Sequence, residues 1–423
     1  MTSTPQGKLS QDLLRSLSHA ANGQQISIIV RYAADRRVMR HQQHVHGVSP
    51  GYNYRLRPLA QMTATPSAIA DMESDPQVLR ISQDMPVRAF MNTAVPQTQV
   101  PRVWAEGHQG EGVRIAVVDT GVDLHHPDLA GRIAGTADFT GEGLLDYHGH
   151  GTHCAGIAAG SGDASGGSYR GVAPKAEIYS AKVLGSDGQG MMSDVMAGVE
   201  WAVSQNVQII SLSLGGIGPS NGQDALSDIC NAAVEAGVVV VTAAGNDGPY
   251  SYTIGSPGAA ERVITVGAVN DGDRLASFSS RGPTADGRTK PDIVLPGVDV
   301  IAPRAQGTSL GSIVDDHYVA ASGTSMAAPH GAGICALLLQ AHPEWTPDDI
   351  KRVLMTTAID IGQQPDAQGS GRADAWLAHT EQSSEPTPIT PTPDPPEGAQ
   401  GCLLSLFDLV FAASRAAIHR TRR

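Results

Sequence analysis

The sequence predicts an α/β protein built on a mostly parallel sheet that is flanked by helices. From Val113 onward, short apolar runs of strand length alternate with helical patterns, as in parallel sheets covered on both faces. The 423 residues suffice for one large core plus smaller units, and 48 glycines indicate many tight turns. A formal net charge of −13 argues against a nucleic-acid or anionic-membrane role for the whole chain.

The main sheet is predicted from five apolar runs, at 113–118, 177–184, 207–214, 238–244 and 263–269. Five helices accompany them, at 150–159, 193–205, 224–236, 325–340 and 347–357. In such folds ligands bind beyond the carboxyl ends of the strands. Asp119 ends the first run and Asn246 follows a later one, so both are expected at that edge of the sheet.

A small α+β unit is predicted ahead of the main domain. Apolar residues at 26–30 and 78–81 indicate strands. Thr65 and Pro66 suit the N-cap and first turn of a helix that runs to residue 74.

We place the first domain boundary after residue 91, which gives an N-terminal unit at 1–91 and a main domain at 92–380. Residues 1–20 contain no apolar stretch typical of a signal peptide. A cytoplasmic location is therefore expected, or secretion if the true start lies elsewhere.

The C-terminal region divides into a linker and a short helix. Residues 381–400 carry six prolines among polar residues, which is typical of an extended linker. Residues 401–423 are predicted to form an amphipathic helix with a basic end. Its apolar face at 402–418 could dock on a membrane surface or a partner protein, or fold back on the protein's own main domain. The two alternatives stay open.

Three stretches at the predicted edge carry groups suited to nucleophilic catalysis. Asp119 follows a strand, His150 opens a glycine-rich helix, and Ser325 lies in a Gly-Thr-Ser turn before another helix. A serine nucleophile needs a base to take its proton and a carboxylate to orient that base. Asn246 adds an amide that could donate to an oxyanion.

Five sequence blocks, in this order over roughly residues 95–380, resemble the signatures of the subtilisin-like serine proteases. They are Asp119–Val122, His150–Gly156, Ser211–Gly215, Ala244–Asn246 and Gly323–Pro329. The resemblance implies a Ser/His/Asp endopeptidase on an α/β fold, acting on polypeptides. It assigns Ser325 as nucleophile, His150 as general base, Asp119 as its orienting carboxylate and Asn246 as oxyanion donor.

The resemblance also implies how substrate binds. Ser213, Leu214 and Gly215 would hold the substrate backbone as an added strand. Together with Ala243, Ala244 and Gly245 they would line the pocket for the substrate side chain just before the cleaved bond. Met192 would line the pocket for the fourth substrate residue before the cleaved bond.

The N-terminal unit resembles the family's inhibitory propeptide, a small ferredoxin-like domain that helps the protease fold and is then cut off. The segment 89–93 shows neither a helix nor a strand pattern, so self-cleavage is expected between Arg88 and Val95, after Met91 or Asn92. Cys154 and the missing signal peptide point to the intracellular branch, and the protein is expected to be a monomer.

Other interpretations of these residues are weaker. A catalytic zinc site at His148, His150 and His153 would require an ordered shell of three ligands. An inactive binding or chaperone-like module of the same fold is the main alternative in another functional class. Calcium is common in the family, and Asp163 in the loop 161–168 could bind it, but no ligand set can be assigned.

Overall fold

The computed structural model describes residues 8–21, 23–33, 47–89, 97–216 and 218–381. Met1–Glu381 forms one compact unit. The predicted linker and C-terminal helix, from residue 382 onward, lie outside the described residues. No helix in the described ranges is both long and apolar enough to cross a membrane.

The N-terminal unit is an antiparallel sheet with two helices. Its strand order is β2-β3-β1-β4, and the elements are α1 (Gln11–His19), β1 (Ile26–Tyr32), β2 (Val48–Asn53), β3 (Leu59–Ala64), α2 (Pro66–Ser74) and β4 (Val78–Gln83). Thr65 caps α2 as predicted, since its side chain accepts a hydrogen bond from the Ala68 N–H. The segment between β1 and β2 lies partly outside the described residues, so the ferredoxin-like fold stays a prediction.

A further strand, β5 (Pro86–Ala89), leaves this unit and joins the main domain. It forms the centre of a three-stranded sheet between β9 (Gln189–Met191) and β11 (Leu214–Gly215), and both pairings are antiparallel. The segment 89–93 was predicted to have neither helix nor strand pattern, and at Ala89 this was wrong. Residues 90–96 lie outside the described residues.

The main sheet has seven strands, and every neighbouring pair is parallel. This confirms the predicted fold class. The order is β14-β13-β12-β10-β6-β8-β7, with β6 (Arg114–Asp119), β7 (Ile133–Asp138), β8 (Glu177–Lys182), β10 (Ile209–Leu212), β12 (Val239–Ala243), β13 (Ile264–Val269) and β14 (Ile293–Pro296). Strands β7 and β14, at the two edges, were not predicted. A separate small sheet has the order β15-β17-β16, with β15 (Val300–Pro303), β16 (Ser312–Ile313) and β17 (Tyr318–Ala321).

Helices lie on both faces of this sheet. They are α3 (Val100–Ala105), α4 (His150–Ala159), α5 (Met192–Ser204), α6 (Ala225–Glu235), α7 (Thr324–Ala341), α8 (Pro347–Thr356), α9 (Pro365–Gln368) and α10 (Ala375–Thr380). One hydrophobic core contains residues of α4 and α7, and a second contains residues of α5 and α6. The thiols of Cys154, Cys230 and Cys335 are buried and unbridged.

The N-terminal unit docks on helices α5 and α6. Ile29, Tyr54 and Leu59 belong to the same hydrophobic core as these helices. The Asp84 carboxylate accepts hydrogen bonds from the N–H of Ser193 (2.8 Å) and from its hydroxyl (2.7 Å), at the first turn of α5. Glu200, later in α5, accepts hydrogen bonds from the backbone N–H groups of Arg55 and Leu56. Apolar burial and charge-assisted hydrogen bonds therefore both hold the unit in place.

Candidate active site

The carboxyl edge of the main sheet brings Asp119 and His150 together. Asp119 ends β6 and His150 begins α4, and the Asp119 Oδ1 atom lies 2.7 Å from the His150 Nδ1 atom. Glycine is required at position 151, because a Cβ atom there would lie 2.1 Å from the Gly121 carbonyl oxygen. The glycine-rich motif thus lets the helix carrying the imidazole approach the loop that follows the carboxylate.

A second buried carboxylate, Asp146, fixes this arrangement and was not predicted. Its Oδ1 atom accepts from the Thr120 hydroxyl (2.9 Å) and the Gly149 N–H (2.7 Å). Its Oδ2 atom accepts from the Thr152 N–H (2.9 Å) and hydroxyl (2.6 Å). Asp146 therefore ties the loop after Asp119 to the first turn of the helix that carries His150. Its role depends on contacts between two loops, so the sequence pattern around His150 did not reveal it.

Ser325 lies in the first turn of α7, close to the segment around Ser213. Its hydroxyl donates to the Ser213 carbonyl oxygen (3.0 Å), and the Ser213 hydroxyl donates to the Ser325 carbonyl oxygen (2.7 Å). The Cys154 Sγ atom lies 3.4 Å from the same Ser325 carbonyl and 3.8 Å from the His150 Nδ1 atom. One thiol thus contacts both the serine residue and the histidine.

Asn246 has a fixed side-chain orientation. Its Oδ1 atom accepts hydrogen bonds from the Thr324 N–H (3.0 Å) and hydroxyl (3.1 Å). The Thr324 hydroxyl in turn accepts from the Gly245 N–H (3.1 Å). Thr324, the residue just before Ser325, therefore engages the Oδ1 atom of Asn246. The Nδ2 atom remains as the donor of this amide.

The predicted substrate-binding residues lie along the same edge. Leu214 and Gly215 form β11 and pair with Ala89 and Arg88 of β5. Ala243 ends β12 and Ala244 is buried, while Gly245 has a φ of 109°, which favours glycine. Met192 begins α5, and its N–H donates to the Met85 carbonyl oxygen. The strand β9 beside it was missed by the sequence pattern.

Residues 110–378 match the sequence profile of the Subtilase family, which is well over half of the chain. This chain belongs to the subtilase family. It is 42% identical to Serine protease AprX of Bacillus subtilis (strain 168) over 339 residues, covering 74% of this chain and 76% of that protein. It is 36% identical to Subtilisin E of the same organism, covering 72% and 76%, and 36% identical to M-protease of Shouchella clausii, covering 77% and 80%. The protein is a serine-type endopeptidase.

Subtilases commonly bind structural calcium, but the described residues suggest no clear site. Among them, one group of three acidic, histidine or cysteine side chains has ligand atoms within 4.8 Å of one another: Asp119, His150 and Cys154. Nitrogen and sulfur donors do not suit calcium, which prefers oxygen. Asp163, in the loop 161–168, is exposed, and both carboxylate oxygens of nearby Asp128 are taken by the Ala164 N–H and the Tyr318 hydroxyl.

The pKa of His150 should set the acid limb of this subtilase's pH profile. Burial lowers this pKa, but the Asp119 carboxylate and Cys154 raise it more, so the pKa of His150 lies well above its ordinary value. The imidazole accepts a proton only when neutral, so kcat/KM should rise with pH through an apparent pKa above about 6.5. The test is the pH dependence of kcat/KM with a substrate that does not itself titrate. An acid limb at or below the ordinary histidine value would contradict this.

Soft heavy metals should inhibit the subtilase through Cys154. A mercury atom on Sγ would occupy space next to the imidazole, since this sulfur lies 4.0 Å from the His150 Nε2 atom. We expect methylmercury to lower the activity of the wild type at least about tenfold, since a displaced general base alone costs that much or more. The treated-to-untreated activity ratio should return to near one in Cys154→Ser. The matched control, Cys335→Ser, should stay sensitive, and the reverse result would assign the inhibition to Cys335.

Proposed function

We propose that this subtilase hydrolyses peptide bonds through an acyl-enzyme on Ser325. His150 takes the proton of the Ser325 hydroxyl and later donates it to the leaving amine, while Asp119 holds the imidazole through its Nδ1–H. The Asn246 amide donates to the oxyanion of the tetrahedral intermediate. The 2.7 Å contact between the buried side chains of Asp119 and His150 is the observation that carries this assignment.

Substrate would bind as a strand between β9 and β11. Strand β5 occupies this place with antiparallel pairing on both sides, from Pro86 opposite Met191 to Ala89 opposite Leu214. Backbone pairing of this kind provides affinity for any extended chain, and pockets for alternate side chains add preference. Ala243, Ala244 and Gly245 offer only small side chains near this strand, which favours broad acceptance of apolar side chains.

We propose that the N-terminal unit inhibits the peptidase by filling this place and is then cut by the same active site. Ala89 pairs with Leu214, and the neighbouring Ser213 carbonyl accepts the hydrogen bond from the Ser325 hydroxyl. An antiparallel strand running past Ala89 heads towards Ser213, so the cleaved bond should lie within a few residues of Ala89. This supports the predicted cut after Met91 or Asn92, and self-cleavage of a propeptide is typical of the family.

N-terminal sequencing tests the maturation step. Purified wild-type protein should begin between residues 90 and 95, whereas Ser325→Ala protein should keep its original N-terminus. Mixing the Ser325→Ala protein with a trace of active wild type shows whether cleavage also occurs between molecules. A fully active wild type with an intact N-terminus would rule out the propeptide role.

The alternative of an inactive binding or chaperone-like module predicts no covalent chemistry at Ser325. A serine-directed fluorophosphonate should label the matured wild type and leave Ser325→Ala unlabelled. Absence of labelling in matured wild-type protein would favour the alternative.

The remaining predictions have no contact among the described residues to support them. A calcium site in the loop 161–168, the monomeric state and the cytoplasmic location stay predictions. Docking of the predicted helix at 402–418 on a membrane or a partner also stays a proposal. Co-sedimentation of Ser325→Ala protein with anionic liposomes, with and without residues 401–423, distinguishes membrane docking from folding back.

A further inference from the structure

A cleft of about 500 Å³ lies outside the catalytic edge, between two turns of the main domain. One wall is the turn 272–275 and the other is the turn 359–363. Its lining consists of Gly272, Asp273, Arg274, Leu275, Arg281, Ile359, Asp360, Ile361 and Gln363. This volume is within the range of small-molecule sites, roughly 300–1,000 Å³.

Both walls of the cleft are held in shape by buried or local hydrogen bonds. The Asn270 Oδ1 atom accepts from the N–H groups of Gly272 and Arg274, each at 3.0 Å. On the other side, the Oε1 atom of buried Gln368 accepts from the N–H groups of Ile361 (3.1 Å) and Gln363 (3.2 Å). The cleft is therefore preformed, and a ligand would not have to order it.

The two acidic residues of the lining are already engaged. Asp273 pairs with Arg372 at 2.8 Å and accepts from the Gln97 amide at 2.9 Å. The Asp360 Oδ1 atom accepts from the Gly362 N–H (2.9 Å) and the Gln368 amide (2.7 Å). Asp273 is thus paired with a cation, whereas Asp360 keeps its charge and is held in place by hydrogen bonds from neutral groups.

The two cationic residues of the lining have no such partners. Within the described ranges, neither the Arg274 nor the Arg281 guanidinium has a hydrogen bond or ion pair. The Arg281 Nε atom is also enclosed by protein and unpaired. An enclosed N–H without an acceptor is costly, so an acceptor from a ligand would be favourable there.

The backbone of Arg281 connects the cleft to the segment that carries Asn246. The Arg281 N–H donates to the Thr253 hydroxyl at 2.8 Å. Next to it, the Ser280 N–H donates to the Gly245 carbonyl (2.9 Å), and the Ser280 hydroxyl accepts from the Asp247 N–H (3.1 Å). These bonds hold the residues on both sides of Asn246.

We propose that this cleft binds a small multivalent oxyanion bearing phosphate or carboxylate groups, held by Arg274 and Arg281. Guanidinium groups match such oxygens in paired hydrogen bonds. The hydrogen bonds of Arg281 and Ser280 reach the residues that flank Asn246, so binding at Arg281 changes turnover. The binding step does not depend on the proposed function, whereas the effect on turnover does.

The binding step is tested with full-length Ser325→Ala protein, which cannot digest itself. Pyrophosphate and citrate are titrated at constant ionic strength, and the melting temperature and calorimetric Kd are recorded. We expect saturable stabilisation that Arg281→Gln weakens about tenfold or more, the effect of losing a hydrogen bond to a charged group. Arg281→Lys should give an intermediate Kd, because it keeps the charge but loses the paired geometry. Arg352→Gln, a surface arginine on α8, is the matched control and should bind like the parent.

Equal Kd values in the parent, Arg274→Gln and Arg281→Gln proteins would overturn the proposal, as would the absence of saturable binding. A preference for pyrophosphate or for citrate identifies the phosphate or the carboxylate version. The coupling is tested in matured protein. Saturating ligand should change the kcat of the wild type and leave the kcat of Arg281→Gln unchanged. Binding without any change in kcat would overturn the coupling, and an inactive wild type would overturn the proposed function without affecting the binding result.

Discussion

Ser325→Ala protein should lose peptidase activity by about 10⁶-fold in kcat, the magnitude known from removal of the nucleophile of a subtilisin triad. The hydroxyl lies in the first turn of α7 and donates a hydrogen bond to the Ser213 carbonyl. The Cys154 thiol contacts both the Ser325 carbonyl and the His150 imidazole. The measurement is kcat on a chromogenic peptide, with burst kinetics to detect the acyl-enzyme.

The control for this substitution is Ser322→Ala, three residues earlier and also buried. It removes a hydroxyl from the same turn and should change kcat by no more than a few-fold. Residual activity of Ser325→Ala within tenfold of the wild type would exclude Ser325 as the nucleophile. Equal losses in both variants would indicate that the turn itself was disturbed.

Asn246→Ala protein should lose about 10²–10³-fold in kcat with KM little changed, as for loss of an oxyanion donor in subtilisin. The two hydrogen bonds from Thr324 engage Oδ1, so Nδ2 is the part of the amide that can donate to the substrate oxygen. The interaction strengthens only when charge develops on the substrate oxygen, so ground-state binding should be preserved.

A matched test of this orientation is Thr324→Val, which removes the hydroxyl that contacts Asn246 but keeps the N–H. It should cost less than Asn246→Ala, and the two losses should not add, because both act on the same amide. Additive losses, or an Asn246→Ala effect confined to KM, would contradict the oxyanion role.

The sequence predicted the interior of the main sheet because its five central strands are short, buried and apolar. The edge strands escaped prediction for physical reasons. Strand β7 reads Ile-Ala-Gly-Thr-Ala-Asp and is only partly buried, and β14 has four residues and ends in proline. Strands β5, β9 and β11 exist because segments about 100 residues apart pair with one another, which no local pattern reveals.

The candidate site residues could also be named from the sequence. Asp119, His150, Ser325 and Asn246 stand in recognisable blocks, and the structure brings them to one edge of the sheet. Asp146 was missed because its role consists of hydrogen bonds to Thr120 and Thr152, which depend on how the two loops meet. The fixed Asn246 amide likewise depends on Thr324, a contact across 78 residues.

The sheet formed by β9, β5 and β11 also bears on which proteins are attacked. A chain that takes the place of β5 must offer both of its backbone edges over about four residues, and neither a helix nor a strand already inside a sheet can do so. Susceptibility should therefore follow how readily a target opens locally rather than the side chains at the cut. Such an enzyme would cut partly unfolded chains faster than the same sequences in their native form.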